Sequence, residues 1–148
     1  MEAGASEPAS TLALLRWIGW AQAQAGMDFL RERDLSRQQG FTLGYLAQHP
    51  GSMQREIAAM SRTTAASVSS LLQGLERRGL IERRTEEGDE RSKRVSATEA
   101  GAALIEGWDD AMAAAEEQIL APLSPDERVQ LQILLEKITA VLPRPSRD

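Results

Sequence analysis

Residues 64–84, TAASVSSLLQGLERRGLIERR, and residues 94–98, RVSAT, carry the change of period on which the fold turns. Val68, Leu71, Leu72 and Leu75 recur at helical spacing behind Thr64, which can cap the first turn. The helix is predicted to run to about Arg78, and Gly79 is placed to stop it in a left-handed conformation. Helical spacing then gives way to short runs with strand character: Leu80–Arg84 and Arg94–Ala97 read as strands around the turn-forming Glu87-Gly88-Asp89. Upstream, Ser52 can cap a short helix from Met53 to Met60, with Met53, Ile57 and Met60 on one face. Two short helices are thus followed by a charged hairpin.

Longer helices flank this centre. From Thr11 to Arg33, Leu14, Trp17, Ile18, Ala21, Ala25 and Phe29 form a stripe wide enough to bury. A second helix spans about Ser36 to Gln48, with contacts from Phe41, Leu43, Tyr45 and Leu46, and His49-Pro50-Gly51 ends it. Thr98 can cap one helix to about Leu120, whose row is Leu104, Trp108, Met112, Ala115 and Ile119. The final helix opens on a capping box, with Ser124 at N-cap, Pro125 at N1 and Glu127 at N3. Its row of Leu131, Leu134, Leu135, Ile138, Val141 and Leu142 must pack on another helix, of this chain or of a second. Residues 1–10 and 143–148 read as mobile tails around a single domain, 11–142.

With 148 residues the chain suits one domain and needs no covalent or metal staple. It contains no cysteine, which removes disulfides, thiolate metal sites, iron–sulfur clusters and thiol nucleophiles. One histidine, His49, leaves no metal cluster and no relay, so neither an enzyme nor a cofactor is expected. No apolar run is long enough for a membrane span and the first ten residues carry acids, so a cytoplasmic protein is expected. The net charge of −5 is unevenly distributed: the balance is −1 over residues 1–51, +2 over 52–98 and −6 over 99–148. Nearly all bases of the central segment are arginine, the side chain suited to bidentate phosphate and base contacts.

Helix, short turn, helix, charged hairpin is the order of a winged helix-turn-helix, mainly α with a small β wing. The second helix of such a pair fits a major groove, and the hairpin reaches the neighbouring backbone or minor groove. The runs Gln54-Arg55-Glu56-Ile57-Ala58, Leu75-Glu76-Arg77-Arg78-Gly79-Leu80-Ile81-Glu82-Arg83, Asp89-Glu90-Arg91 and Thr98-Glu99-Ala100-Gly101, in this order, resemble the MarR family of bacterial transcription regulators over about residues 11–142. The resemblance implies a winged lobe of about 36–97 and dimerisation helices of about 11–33 and 98–142. It also implies a homodimer on a pseudo-palindromic DNA operator, a repressor relieved by a small molecule. A winged-helix dimer acting as a protein-interaction module without operator binding is the alternative, favoured by the net negative charge and by Gln73-Gly74, where family members often carry basic residues. The sequence departs from the family where it has Ala65 and Gln73-Gly74. Gly74 inside a helix costs about 1 kcal/mol relative to alanine, which points to close packing or to backbone approach to DNA.

Candidate DNA contacts follow. Thr63, Thr64, Ser67, Ser69 and Ser70 cluster at the start and outer side of the second helix of the pair, where plain caps and solvated positions are the other reading. Gln73 can bond an adenine edge bidentately or stand as a surface glutamine. On the wing, Asp89 can orient Arg91 for minor-groove insertion, the alternative being a surface ion pair. Arg83, Arg84, Lys93 and Arg94 flank the wing within reach of phosphate, and Arg55 and Arg62 lie near helix starts. The resemblance places a small aromatic or lipophilic ligand between the dimerisation helices and the lobe, which singles out Trp17, Trp20, Phe41, Tyr45 and Trp108, with core packing as the alternative. Leu12, Leu15, Ile119, Leu131, Leu134, Leu135, Ile138 and Leu142 are the expected dimer contacts.

Overall fold

The computed structural model describes residues 9–85 and 93–144. Residues 1–8 and 145–148 of the expected tails, and the wing tip with Asp89 and Arg91, lie outside the described residues. Seven helices and three strands are described: α1 (Thr11–Arg31), α2 (Arg37–Gln48), β1 (Ser52–Met53), α3 (Gln54–Ser61), α4 (Ala65–Arg77), β2 (Ile81–Thr85), β3 (Lys93–Ala97), α5 (Glu99–Ile105), α6 (Trp108–Leu120) and α7 (Pro125–Thr139). They form two compact units, one of described residues up to Gly26 and from Asp110 onward, the other Met27–Asp109.

The unit Met27–Asp109 owns the core. Leu43 and Leu46 of α2, Ile57 of α3, and Val68, Leu72 and Leu75 of α4 are fully buried, with Ile81 and Val95 closing the core from the sheet. The three strands run in the order β1-β3-β2, all antiparallel, with Arg83 opposite Val95 and Arg84 opposite Arg94. Gly101 on α5 sits so close to the Leu80 carbonyl that no Cβ fits, whereas Gly40 on α2 lies close against the end of the Leu30 side chain. Thr98 fastens α5 to the end of α4: its Oγ1 donates to the Gly79 carbonyl at 2.6 Å and accepts from Gly101 N–H at 3.1 Å. The end of α1 is held by Arg78, whose guanidinium donates to the carbonyls of Asp34 (2.7 Å) and Arg33 (3.3 Å).

Two expectations are corrected here. Ser52 does not cap a helix. It is buried in β1, paired with Val95, and its hydroxyl donates to the His49 carbonyl at 2.7 Å. The helix starts one residue later because Glu56 reaches back to Met53 N–H at 2.7 Å, so the N3 acid sets the boundary. The helix expected from Thr98 to Leu120 is two helices, broken at Glu106 in extended conformation and Gly107 at φ +83°. An apolar row that continues through the break, Leu104 to Trp108, hid it from a periodicity reading.

In the other unit α7 opens on its capping box, with Ser124 Oγ accepting Glu127 N–H at 3.2 Å and Glu127 accepting Ser124 N–H at 2.9 Å. Arg128 binds both carboxylate oxygens of Glu117 on α6, at 2.7 and 3.0 Å. No residue of α6 or α7 is buried. The stripe read as buriable on α1 is likewise open at its N-terminal part: Leu14, Trp17 and Ile18 are exposed, whereas Phe29, in the core-bearing unit, is buried.

Candidate nucleic-acid interface

The turn between α3 and α4 is built by backbone geometry. Arg62 takes the left-handed conformation at φ 50° and ψ 39°, a cost of about 1–2 kcal/mol for a residue with a side chain. The Thr63 amide closes the turn on the Ala58 carbonyl. Thr64 then caps α4, its Oγ1 accepting Ser67 N–H at 3.1 Å and donating to Ser67 Oγ at 2.9 Å. There is no acidic residue in the first turn of α4, so the positive end of its dipole is unopposed on its own helix.

On α4, Val68, Leu72 and Leu75 face the core, and the opposite side is set by helical geometry. Ala66, Ser70, Gln73 and Arg77 make up that outer stripe, all exposed. Ser69 is half-buried at its edge, and Ser67 is occupied by the cap. A Cβ on Gly74 would meet nothing within 4 Å, which removes close packing as the reason for a glycine there. Arg77 shares this exposed stripe and is not among the sequence candidates. The signal was present in its spacing, four residues from Gln73 and seven from Ser70.

Around α4 the arginines have separate roles. Arg55 is exposed on α3 and Arg62 at the turn. Arg84 is 80% exposed on β2 and pairs with Glu82 at 3.1 Å, and Lys93 is exposed opposite the β2 end. Arg94 is half-buried, one guanidinium nitrogen 3.4 Å from the Gly51 carbonyl. Arg83 departs from the phosphate contact expected of it: its side chain is 18% exposed and lies 2.8 Å from Glu76 of α4.

Of the aromatic candidates, Trp17 and Trp20 are 67% and 60% exposed in one unit. In the other, Phe41 is exposed, Tyr45 stacks on His49 with centroids 4.3 Å apart, and Trp108 meets the edge of Phe29 at 5.2 Å. Arg33 lies over the same Phe29 ring at 3.5 Å, so Trp108, part-buried, packs on a side chain of the core.

Known proteins share this arrangement. A family model described as MarR family matches residues 33–92. HTH-type transcriptional regulator BilQ of Clostridium symbiosum (strain WAL-14163) is 34% identical over 119 residues, 69% of this chain and 75% of that protein. The crystal structure of a Staphylococcus aureus MepR–DNA complex is 33% identical and superposes with a TM-score of 0.73, covering 88% of this chain and 98% of that one. S. aureus MepR bound to ethidium bromide is 32% identical with a TM-score of 0.68, covering 91% and 98%. With a capped second helix after the turn, a hairpin at its end and relatives matched over most of their length, this chain belongs to the MarR family of transcription regulators.

Proposed function

We propose that the protein is a homodimer that binds a specific pseudo-palindromic operator and acts as a repressor relieved by a small aromatic or lipophilic molecule. The observation that carries the reading is the outer stripe of α4, where Ser70, Gln73 and Arg77 stand exposed opposite a fully buried core face. Gln73 is the side chain able to read an adenine bidentately, Arg77 reaches phosphate or guanine, and Gly74 lets the backbone come close to the duplex. Thr63, Thr64, Ser67 and Ser69 place the helix N-terminus toward phosphate. Arg55, Arg62, Arg84, Lys93 and Arg94 supply backbone contacts, and Asp89 with Arg91 supplies the wing contact. MepR, similar over nearly its whole length, is crystallised with DNA and with ethidium, which supports both halves of the reading.

Dimerisation is supported by exposed apolar side chains that a monomer leaves in water: Leu12 on α1, Leu134 and Ile138 on α7, and Leu142 beyond its end. Ile119, Leu131 and Leu135 are part-buried beside them and Leu15 is part-buried on α1. In the ligand role, Trp17 and Trp20 offer exposed aromatic faces for a flat apolar molecule.

The deciding experiment is selection of bound duplexes from a random DNA pool by the purified protein. A two-fold repeated motif, bound with strong salt dependence, is the expected result. Recovery of no motif would overturn operator recognition and leave the protein-interaction module.

A further inference from the structure

Strand alternation places Arg83 on the face of the sheet that carries Ile81 and, across the ladder, Val95, both buried. Its guanidinium meets the recognition helix there. Nε lies 2.8 Å from Oε2 of Glu76, yet neither Nε nor the buried Nη2 makes an aligned hydrogen bond among the described residues. The contact is therefore held by charge more than by hydrogen-bond direction, and charge acts more strongly in this partly dry site than at the surface. Glu76 is half-exposed on α4, on the helix that would approach a polyanion, where an uncompensated carboxylate would be repelled.

We propose that the Glu76–Arg83 pair is a positioning joint between the recognition helix and the wing. It neutralises the one carboxylate of α4 and sets the angle at which β2 leaves the helix, so that helix and hairpin meet one duplex together. Neither residue itself touches DNA. This inference rests on the operator-binding reading above.

The test uses the full chain as wild type, Glu76→Gln, Arg83→Gln and the double variant. Affinity is measured on the selected operator with its flanks and on a duplex cut back to the two half-sites. Wild type should prefer the long duplex by about tenfold, the wing's share of a specific interface. Each variant should close that gap to about twofold; Glu76→Gln and the double variant should bind the short duplex as wild type does, whereas Arg83→Gln, which leaves the Glu76 carboxylate uncompensated, should bind both duplexes more weakly. The double variant separates positioning from stability, because two neutral amides suit a half-buried site. Its thermal midpoint should return to the wild-type value with the gap still closed. Should Arg83→Gln not fold, Glu76→Gln, altered at a half-exposed and nearly isosteric position, carries the test alone. A double variant with the wild-type gap, or single variants losing affinity equally on both duplexes, would overturn the joint. So would a wild type that selects an operator but shows no gap. A wild type that selects no operator would overturn the operator reading and the joint together.

Discussion

Three glycines on helices meet three different surroundings, and replacing each by alanine should change stability by a different amount. At Gly101 the new methyl would press on the Leu80 backbone carbonyl, which cannot yield without moving β2 or α5, so a loss of about 2–3 kcal/mol is expected. At Gly40 it would meet the flexible end of Leu30, and better helix propensity offsets most of the crowding. Gly74 faces open space, so alanine should add about 1 kcal/mol. Urea unfolding of the three variants should rank them in that order, and any other ranking would contradict the packing. Glu127 offers a second residue-scale check. The Ser124 backbone N–H, and then its hydroxyl, hold the Glu127 carboxyl below its ordinary value near 4.5, and the small desolvation opposing them does not reverse the direction. A lowered value in the folded state means that the ionised cap stabilises α7 above pH 4.5 and loses that effect as pH falls through the lowered value. Glu127→Gln should therefore melt earlier than wild type at neutral pH, and the two melting curves should converge in acid.

At the scale of the element, α4 is where stability and recognition part company. Gln73→Ala should relax the operator preference at one symmetric pair of positions, by about 1–3 kcal/mol of discrimination, as read from operators changed one base pair at a time. Arg77→Ala should instead weaken binding to every sequence and reduce the salt slope by about one if it meets phosphate. The helix-turn-helix was legible because its determinants are local: the Thr64 cap and the Val68, Leu72 and Leu75 face all lie within one helix. β1 was not legible, since it is two residues long and exists only through pairing with β3, some forty residues on. Nor was the inward face of Arg83, which depends on strand register and on a partner supplied by another element. The break at Gly107 was written in the sequence as a glycine, but the apolar spacing across it outweighed that sign. The exposed stripe of α4 was thus readable from helical spacing, whereas the inward placement of Arg83 against Glu76 was not.

For the whole molecule, the uncovered apolar side chains decide the behaviour in solution. Replacing Leu135 and Ile138 together by Asp should yield monomers or aggregates with weakened operator binding, read by sedimentation velocity. A variant that sediments as wild type does would remove α7 from the proposed interface. If the proposed dimer forms, wild type should melt at a midpoint that rises with protein concentration, because only folded chains associate.

The unit that leaves these side chains open is assembled from two distant stretches, residues before Gly26 and residues after Asp110, with the core-bearing lobe encoded between them. Synthesis therefore delivers its parts out of step. The lobe can close on Leu43, Ile57 and Leu72 while α7 is still untranslated, and α1, made first, must wait for α6 and α7, the other helices of its unit, with Trp17 and Ile18 in water during the wait and still exposed after it. On a ribosome translating at about 5–20 residues per second, that wait lasts several seconds, during which the earliest helix is a target for chaperones or for a neighbouring nascent copy.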